Sequence, residues 1–324
     1  MSTETKPDLR ILEFFSGIGG LRASLERSKV HTNTTFCAID INEIANTIYE
    51  GNYKEKVVVK NLDTVSVEWI EEKRANVWFM SPPCQPYNNS IMSKHKDIDD
   101  PRAKSVLHLY RDVLKNMENK PEHIFIENVP LFKESLVFKD IMCVLNELEY
   151  HIQDIVISPH QIGIPNSRTR YYVMARKTKF ETPCTFVKYE NVSVSTFLEN
   201  TVDVNFEVKK ELLLKKGMLF DIVGVKSQRT CCFTKSYTKI VEGTGSILAP
   251  QVDTFESVKK AEDLLNLHLR YFTPTEIKRI HGFPETFTTN VAGVSEKGQY
   301  QCLGNSVSCY VISQLMEHLF SDMK

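Results

Sequence analysis

The sequence lacks any apolar run long enough to cross a membrane. No stretch approaches the roughly 18 apolar residues that a span requires, and the polar residues 1–10 contain no apolar signal core. Neither sign of charge dominates, because 40 Lys and Arg balance 41 Asp and Glu. Overall charge therefore offers no attraction to nucleic acid, so any such contact must use a local basic patch. We expect a cytoplasmic or nuclear protein with no membrane partner.

Metal-binding spacings are also missing. The chain has eight cysteines, but no Cys-x-x-Cys and no Cys/His pairs at the spacing of a zinc site. We therefore predict no metal centre. In a reducing compartment most cysteines are small buried apolar residues, so a reactive one has to be recognised by its surroundings.

What the sequence does contain is the composition of an ordinary globular protein. It has 324 residues, of which 42% are hydrophobic and 25% charged, and this mixture excludes disordered and collagen-like chains. At roughly 100 to 200 residues per domain, the length indicates about two domains.

The first 180 residues alternate short β-rich runs with longer amphipathic segments. We predict strands at 10–15, 34–40, 57–60, 75–80, 123–129, 150–158 and 170–177, with helices at 21–28, 42–53, 101–118 and 135–149. Strict alternation with nearly continuous apolar strands predicts an α/β fold, namely a doubly wound, mostly parallel sheet with helices on both faces. Ligands of such sheets bind beyond the carboxyl ends of the strands.

The periodicity weakens near residue 180, which indicates a second, smaller domain. We assign residues 1–180 and 292–324 to the first domain and 181–291 to the second. Within the later part of the chain, Thr273-Pro274 marks a helix start, and residues 305–320 predict a single closing helix.

A glycine loop, residues 14–20 (FFSGIGG), lies between the first predicted strand and helix. Glycine lets a backbone approach a ligand closely. The loop is neither the dinucleotide fingerprint, because Arg22 stands where the third glycine belongs, nor a P-loop. With Asp40 to bind ribose hydroxyls and Asp63 to bind an adenine amino group, S-adenosylmethionine fits the set. A tight turn followed by a helix-capping acid explains these residues about equally well.

Cys84 lies in a loop stiffened by three prolines, SPPCQP at residues 81–86, directly after the fourth predicted strand. Proline removes backbone donors and holds the loop out, so the thiol is a candidate nucleophile. It would need a nearby positive charge or a helix N-terminus to be activated. A buried, inert thiol is the alternative for a cysteine considered alone.

Glu127 and a pair of arginines are the remaining candidates. Glu127 leaves an apolar strand at the same expected edge as Cys84, where partial desolvation favours its protonated form and proton donation. Arg168 and Arg170 alternate on entering a strand, so they share one face and can bind anionic oxygens. An ordinary loop acid and a solvated strand edge are the alternatives.

Together these groups match one chemistry. Carbon 5 of cytosine is a poor nucleophile, but a thiolate that adds at carbon 6, with an acid at ring nitrogen 3, converts the ring into an enamine that accepts a methyl group. Loss of the carbon-5 proton and of the thiolate releases the methylated base. The base must be flipped out of a stack or already lie in a loop to be reached.

The order of these motifs resembles that of the cytosine-5 methyltransferase superfamily over nearly the whole chain. The matches are FFSGIGG, Asp40, Asp63, SPPCQP, ENV, the arginine pair, residues 270–284 (RYFTPTEIKRIHGFP) and residues 301–311 (QCLGNSVSCYV).

The resemblance implies a class I, Rossmann-like methyltransferase fold, with Cys84 as nucleophile, Glu127 as acid, and Arg168 and Arg170 supporting substrate and nucleophile. It also implies S-adenosylmethionine as cofactor, S-adenosylhomocysteine as product, and a target-recognition function for the second domain. The implied cofactor contacts are Phe14, Gly17, Ile18, Gly19, Gly20, Asp40, Ile41, Leu62, Asp63, Ser81, Ser105, Asn305 and Ser306.

Three features are similar to the branch that methylates an anticodon-loop cytosine of aspartate tRNA. These are the Ser81-Pro82-Pro83 lead-in, Asn166, and Cys232-Phe233-Thr234 with the segment that follows it. We therefore expect a monomer that acts on tRNA, with RNA contacts at Cys232, Phe233, Thr234, Lys235 and Tyr237. A surface strand explains the last set about as well. The alternatives are a DNA cytosine-5 methyltransferase and a nucleic-acid-binding protein without methyl transfer.

Overall fold

The computed structural model describes residues 8–30, 32–87, 96–255 and 258–323. Its strands are β1 Asp8–Phe14, β2 Asn33–Ile39, β3 Val77–Met80, β4 His123–Asn128, β5 His151–Ile157, β6 Arg170–Arg176, β7 Ile222–Gly224, β8 Ile247–Ala249 and β9 Arg270–Tyr271. Its α-helices are α1 Gly20–Arg27, α2 Glu43–Tyr53, α3 Val67–Glu71, α4 Lys104–His108, α5 Leu136–Glu147, α6 Lys210–Lys216, α7 Pro274–His281, α8 Glu296–Asn305 and α9 Cys309–Leu319.

The first six strands form one sheet in the order β2-β1-β3-β4-β6-β5. The pairs β1–β2, β1–β3 and β3–β4 are parallel, whereas β6 is antiparallel to both β4 and β5. The link between β5 and β6 contains only a short 3₁₀ turn, Pro159–Ile162, which is too little for the crossover that a parallel return requires. The predicted class, an α/β fold with a mostly parallel sheet, is confirmed.

Both faces of this sheet are covered, as the nearly continuous apolar strands predicted. Along β1, Leu9 and Ile11 join a hydrophobic cluster with α1 and α9, whereas Leu12 and Phe14 join a second cluster with α4 and α5. Alternate residues of a strand point to opposite faces, so a run without polar breaks fills two cores at once.

Two of the sequence predictions are wrong in detail. Residues 57–60 form no strand, since only Val58 makes a bridge, to Ile39. The closing helix predicted at 305–320 is α9, but it begins only at Cys309, because Asn305 ends a separate helix, α8. The carbonyl groups of Gly304 and Ser306 accept hydrogen bonds from Arg168. Arg168, two residues before β6, thus satisfies backbone carbonyl groups at the break between α8 and α9.

The helix predicted at 101–118 also differs from a regular one. A 3₁₀ turn, Pro101–Ala103, leads into α4, and the chain continues as a π-helical segment, Leu109–Leu114. The buried Tyr110 hydroxyl of this segment contacts the Met80 sulfur at 3.3 Å. Wide π turns are frequent next to functional sites, and this helix borders the cavity described below.

The later part of the chain adds a small sheet, in the order β7-β8-β9. Its buried side chains belong to the same hydrophobic cluster as α1 and α9. A backbone bridge between Ser167 and Cys231 further joins it to the approach to β6. The part of the chain that carries β7, β8 and β9, called the inserted segment below, therefore packs against the first sheet through a shared core.

Glu13, in the middle of β1, is fully buried. Its carboxyl accepts hydrogen bonds from the Arg22 backbone N–H at 3.4 Å and from the Tyr49 hydroxyl at 3.3 Å. Burial raises the pKa of Glu13 from 4.5 to about 8, against the lowering effect of Arg22. The folded chain therefore keeps a proton there that the unfolded chain releases above pH 4.5.

This proton predicts a pH dependence of stability. The contribution of Glu13 is fully present below about pH 4.5 and is lost as the pH rises through about 8. Between pH 5.5 and 7.5 we expect the wild type to lose about 1.4 kcal/mol of unfolding free energy per pH unit relative to Glu13→Gln. Urea unfolding of both proteins across this range measures the difference, and parallel profiles would contradict the prediction.

Candidate active site

A cavity of about 470 Å³ opens at the edge where β1, β3 and β4 end. Of the residues predicted for cofactor and catalysis, it is lined by Gly17, Ile18, Gly20, Asp40, Ile41, Leu62, Asp63, Ser81, Cys84, Ser105, Glu127, Arg168, Arg170, Asn305 and Ser306. The fold thereby brings residues that are more than 200 positions apart in the sequence into one site.

The arginines reach this edge because β6 is reversed. Its register pairs Glu127 with Tyr172 and Asn128 with Tyr171, so the start of β6 lies beside the end of β4. In an all-parallel sheet, residues that precede a strand would lie at the opposite edge.

Two predicted cofactor contacts do not line the cavity. Phe14 is fully buried and packs edge-on against Trp78, with ring centroids 5.0 Å apart. At Gly19 a Cβ would lie 2.5 Å from the Tyr53 ring, which places that side of the residue against α2. Neither residue lines the cavity, so a cofactor contact by Phe14 or Gly19 stays a prediction.

The glycine loop is fixed to the end of β2 by Asp40. The Asp40 carboxylate accepts the Gly17 backbone N–H at 2.8 Å on one oxygen and the Asn42 backbone N–H at 2.8 Å on the other. Its backbone carbonyl accepts the Asn46 side-chain amide at 3.2 Å. A carboxylate offers about four acceptor positions, so Asp40 is held rigidly and can still accept from ligand hydroxyls.

A second acid is held in a similar way on the other side of the cavity. The Ser105 hydroxyl, in the first turn of α4, donates to Asp63, and the Asp63 backbone N–H donates to the Asn61 side chain at 2.9 Å. Ser105, which was predicted as a cofactor contact, thus orients Asp63, an acid of the site.

Glu127 is oriented by two neighbours inside the cavity. Ser81 donates its hydroxyl to one carboxylate oxygen at 2.7 Å, and the Arg170 Nε lies 3.3 Å from the other. Asn128 donates its side-chain amide to the Pro82 carbonyl at 3.1 Å, which ties the loop of Cys84 to the end of β4. The loop and the acid are therefore one connected unit.

Cys84 is half-buried and lies just before a 3₁₀ turn, Gln85–Tyr87. Arg170 provides positive charge nearby. Burial alone lowers the pKa of Arg170, but Cys232, Glu127 and Cys84 attract its charge and together keep that pKa above its ordinary value. The same cation therefore interacts with both the thiol and the acid.

Arg168 lines the cavity and also makes structural contacts that the sequence did not predict. Its guanidinium is buried and donates to the Phe233 carbonyl at 3.2 Å, the Gly304 carbonyl at 3.3 Å and the Ser306 carbonyl. Burial lowers its pKa, with Arg170 as a second cause. Arg168 thus joins the start of β6, the inserted segment and the end of α8, and it supports the site by holding these pieces together.

Comparisons with known proteins agree with this geometry. The family model described as C-5 cytosine-specific DNA methylase matches residues 9–321. The chain belongs to that family. It is 36% identical to the tRNA (cytosine(38)-C(5))-methyltransferase of Schizosaccharomyces pombe, over 97% of this chain and 98% of the relative. It is 34% identical to a DNA (cytosine-5)-methyltransferase of Dictyostelium discoideum, over 97% and 94%.

Solved structures give the same result. The Entamoeba histolytica methyltransferase EhMeth superposes with a TM-score of 0.96 at 64% identity, covering 98% of this chain and 100% of that one. The S. pombe Dnmt2 methyltransferase superposes with a TM-score of 0.88 at 34% identity, covering 98% and 100%. The predicted family resemblance is therefore confirmed.

S-adenosylmethionine is the methyl donor of this C-5 methylase family, and the residues of the cavity fit it. The acids Asp40 and Asp63 supply acceptors for ribose hydroxyls and for the adenine amino group. Ile18, Ile41 and Leu62 add apolar surface. Bound there, the cofactor supplies a methyl group activated by a sulfonium charge.

The RNA contacts predicted in the inserted segment need correction. Phe233 and Tyr237 are buried, and the Tyr237 hydroxyl donates to the Ser246 carbonyl at 2.7 Å and accepts the Phe272 N–H at 3.0 Å. Both rings belong to the core, so neither can stack on a base. Lys235, close by in the sequence, indicated an RNA contact, but the rings pack instead against Phe272 and Tyr271.

The remaining members of that set are placed between the core and the surface. Cys232 accepts from Arg168 at 3.4 Å; burial raises its pKa, but Arg168 and Arg170 hold it below the ordinary value. Thr234 is half-buried, and its backbone contacts Gly304 closely: a Cβ added at Gly304 would lie 2.2 Å from the Thr234 carbonyl carbon. Lys235 is exposed and is the member still available to RNA.

Asn128 and Arg102 are among the cavity residues to which the sequence reasoning gave no role. Asn128 follows the catalytic acid directly, and Arg102 pairs with the buried Asp100 at 2.6 Å. Only the Asp-Pro-Arg order before a helix pointed to Arg102, as a capping pattern.

Across the described ranges, no group of three or more His, Cys, Asp or Glu could hold a metal ion. None of the helices in those ranges is long and apolar enough to span a membrane.

Proposed function

We propose that this protein transfers a methyl group from S-adenosylmethionine to carbon 5 of a cytosine in the anticodon loop of a tRNA. The observation that carries the proposal is the meeting of Cys84, Glu127 and Arg170 in the cavity that also contains Asp40 and Asp63. A nucleophile, an acid and acceptors for a nucleoside cofactor are what carbon-5 methylation requires.

We propose that Cys84, Glu127 and Arg170 act together on one cytosine ring. The Cys84 thiolate adds to carbon 6 of the target ring, while Glu127 donates a proton or hydrogen bond to ring nitrogen 3, which makes carbon 5 nucleophilic. Arg170 balances the charge of both groups. After carbon 5 has gained the methyl group, it loses its proton to a base and the carbon–sulfur bond breaks to return the thiolate. The proton that Glu127 gave to ring nitrogen 3 returns to Glu127 as the thiolate leaves.

An RNA loop suits this site better than a duplex. Bases in an anticodon loop are already partly unstacked, so extruding one costs less than flipping it from a double helix. The relative from S. pombe that matches nearly the whole chain is named for cytosine 38 of tRNA. Aspartate tRNA is the substrate that we propose, read by a monomer in the cytoplasm or nucleus with residues 181–291 as the target-recognition region and 1–180 with 292–324 as the catalytic domain.

DNA is the second candidate substrate, because the D. discoideum relative is named a DNA (cytosine-5)-methyltransferase. Labelled S-adenosylmethionine should be offered with aspartate tRNA, with the same tRNA carrying uridine for cytosine at position 38, and with duplex DNA. We expect label in the first substrate only, at least about 100-fold above the other two, because a missing reactive base removes the reaction and a duplex base must first be flipped.

Each other outcome has a definite meaning. Equal or greater labelling of DNA would replace the tRNA proposal by the DNA alternative. Equal labelling of the two tRNAs would move the target to another cytosine. No labelling of any nucleic acid, with cofactor binding intact, would favour a binding protein without methyl transfer and overturn the proposal.

A further inference from the structure

We propose that the Tyr53 hydroxyl is a positioning group for the cofactor loop, and that Arg22 holds the Tyr53 ring in place for this purpose. Tyr53, the last residue of α2, donates its hydroxyl to the Gly19 carbonyl at 3.1 Å. Gly19 has a φ of 82°, in the left-handed region where glycine carries no steric cost. Tyr53 thus touches the loop from the side opposite to the cavity.

The packing around Gly19 is tight enough to transmit this contact. A Cβ at Gly19 would lie 2.5 Å from the Tyr53 ring and 2.9 Å from the Tyr49 ring, so the loop backbone rests directly on both tyrosines. The Gly19 carbonyl also accepts the Ala23 N–H at 2.9 Å, the first bond of α1. One carbonyl therefore connects the loop, the start of α1 and the end of α2.

Arg22 fixes the position of the tyrosine. Its guanidinium lies 4.1 Å from the centre of the Tyr53 ring and is held by Glu55 through two bonds of 2.8 and 3.0 Å. The side chain is largely buried, at 12% exposed. A planar, charged group in a bidentate ion pair is a rigid support for an aromatic face. Arg22 stands where the dinucleotide fingerprint has its third glycine, so a long side chain occupies the position that glycine uses there for close packing of helix on strand.

The loop is consequently held on two sides. Gly17 is bound to Asp40 at 2.8 Å on the cavity side, and Gly19 is bound to Tyr53 behind it. Gly17, Ile18 and Gly20 line the cavity, whereas Gly19 does not. If the rear contact is lost, the loop spends less time in its cofactor-ready shape, and apparent affinity falls by that fraction. The chemistry at saturating cofactor is unchanged, because no reacting group has moved.

Tyr53→Phe tests this directly, since it removes only the hydroxyl. Tyr49→Phe is the matched control: Tyr49 is on the same helix and its ring also touches Gly19, but its hydroxyl donates to Glu13 rather than to the loop. The Tyr49 hydroxyl also accepts from Arg22 at 3.3 Å, so this control removes one bond of Arg22 while the two bonds that Arg22 donates to Glu55 remain. The readouts are the affinity for S-adenosylhomocysteine by calorimetry without RNA, and hydrogen exchange of a peptide covering residues 14–25 in the cofactor-free protein.

We expect Tyr53→Phe to weaken cofactor binding about fivefold, as the loss of one hydrogen bond predicts, and to speed exchange of the loop peptide. Tyr49→Phe should stay within about twofold of the wild type by both readouts. Arg22→Lys, which keeps the charge but loses the planar ion pair, should act like Tyr53→Phe.

Three results would overturn the proposal. One is a Tyr53→Phe protein that binds cofactor and exchanges its loop like the wild type. Another is an equal loss of affinity in Tyr49→Phe, which would make the effect one of general packing. A fall in kcat at saturating cofactor with no change in affinity would also overturn it. All of these measurements remain valid whichever nucleic acid is the substrate.

Discussion

Replacing Cys84 by alanine is expected to abolish methyl transfer while cofactor binding persists. Cys84 is half-buried in the cavity and has the positive charge of Arg170 nearby. Removing the nucleophile of a covalent mechanism costs about 10⁴-fold or more in rate. The cofactor acids Asp40 and Asp63 have their own hydrogen-bond partners, so their geometry does not depend on the thiol.

The measurement is single-turnover methylation of aspartate tRNA, together with calorimetric binding of S-adenosylhomocysteine. Cys143→Ala is the control, because Cys143 is exposed and lies outside the residues that line the cavity. A tRNA with 5-fluorocytidine at the target should form a stable adduct with the wild type and not with Cys84→Ala. Retained activity in Cys84→Ala, or an adduct at another cysteine, would refute the role of nucleophile.

Replacing Glu127 by glutamine should reduce kcat by about 10² to 10⁴, the usual contribution of a general acid. Glutamine keeps the shape of the side chain and can still accept the Ser81 hydroxyl, now 2.7 Å from the carboxylate. It cannot supply the carboxyl proton or pair with Arg170 as a charge. Because the fold and the nucleophile stay in place, the loss should appear in kcat and little in tRNA affinity.

Single-turnover rates and tRNA binding of Glu127→Gln would be compared with those of Glu122→Gln. Glu122 is an exposed acid just before β4 and does not line the cavity, so its neutralisation should change the rate by less than about twofold. A loss of only a few-fold at Glu127 would mean that ring nitrogen 3 is served by another group.

The sheet could be predicted well because its signals are local. Apolar runs such as 123–128 are buried on both faces and are bounded by polar turns, so pattern alone locates them. Residues 57–60 carry a similar run of valines yet form a single bridge, because a strand needs a partner along its length. The sequence holds no information on that partner.

The catalytic residues were predictable to the same degree as the strands that carry them. Cys84 follows β3 and Glu127 lies at the end of its parallel neighbour β4, and the ends of parallel strands share one edge. Arg168 was found by its proximity to a strand, but its partners lie 65, 136 and 138 residues away. Contacts at such separations come from packing, so its structural role had to be observed.

By itself the sequence determined the α/β class, the order of the motifs and the chemical types available for catalysis, since these depend on residue identity and local periodicity. The tertiary structure decided which groups meet. It reversed β6 and so brought Arg170 to Glu127, it buried Phe233 and Tyr237 beneath the small sheet, and it placed Tyr53 behind Gly19. Proximity between distant segments results from the packing of whole faces against one another, and no local pattern encodes it.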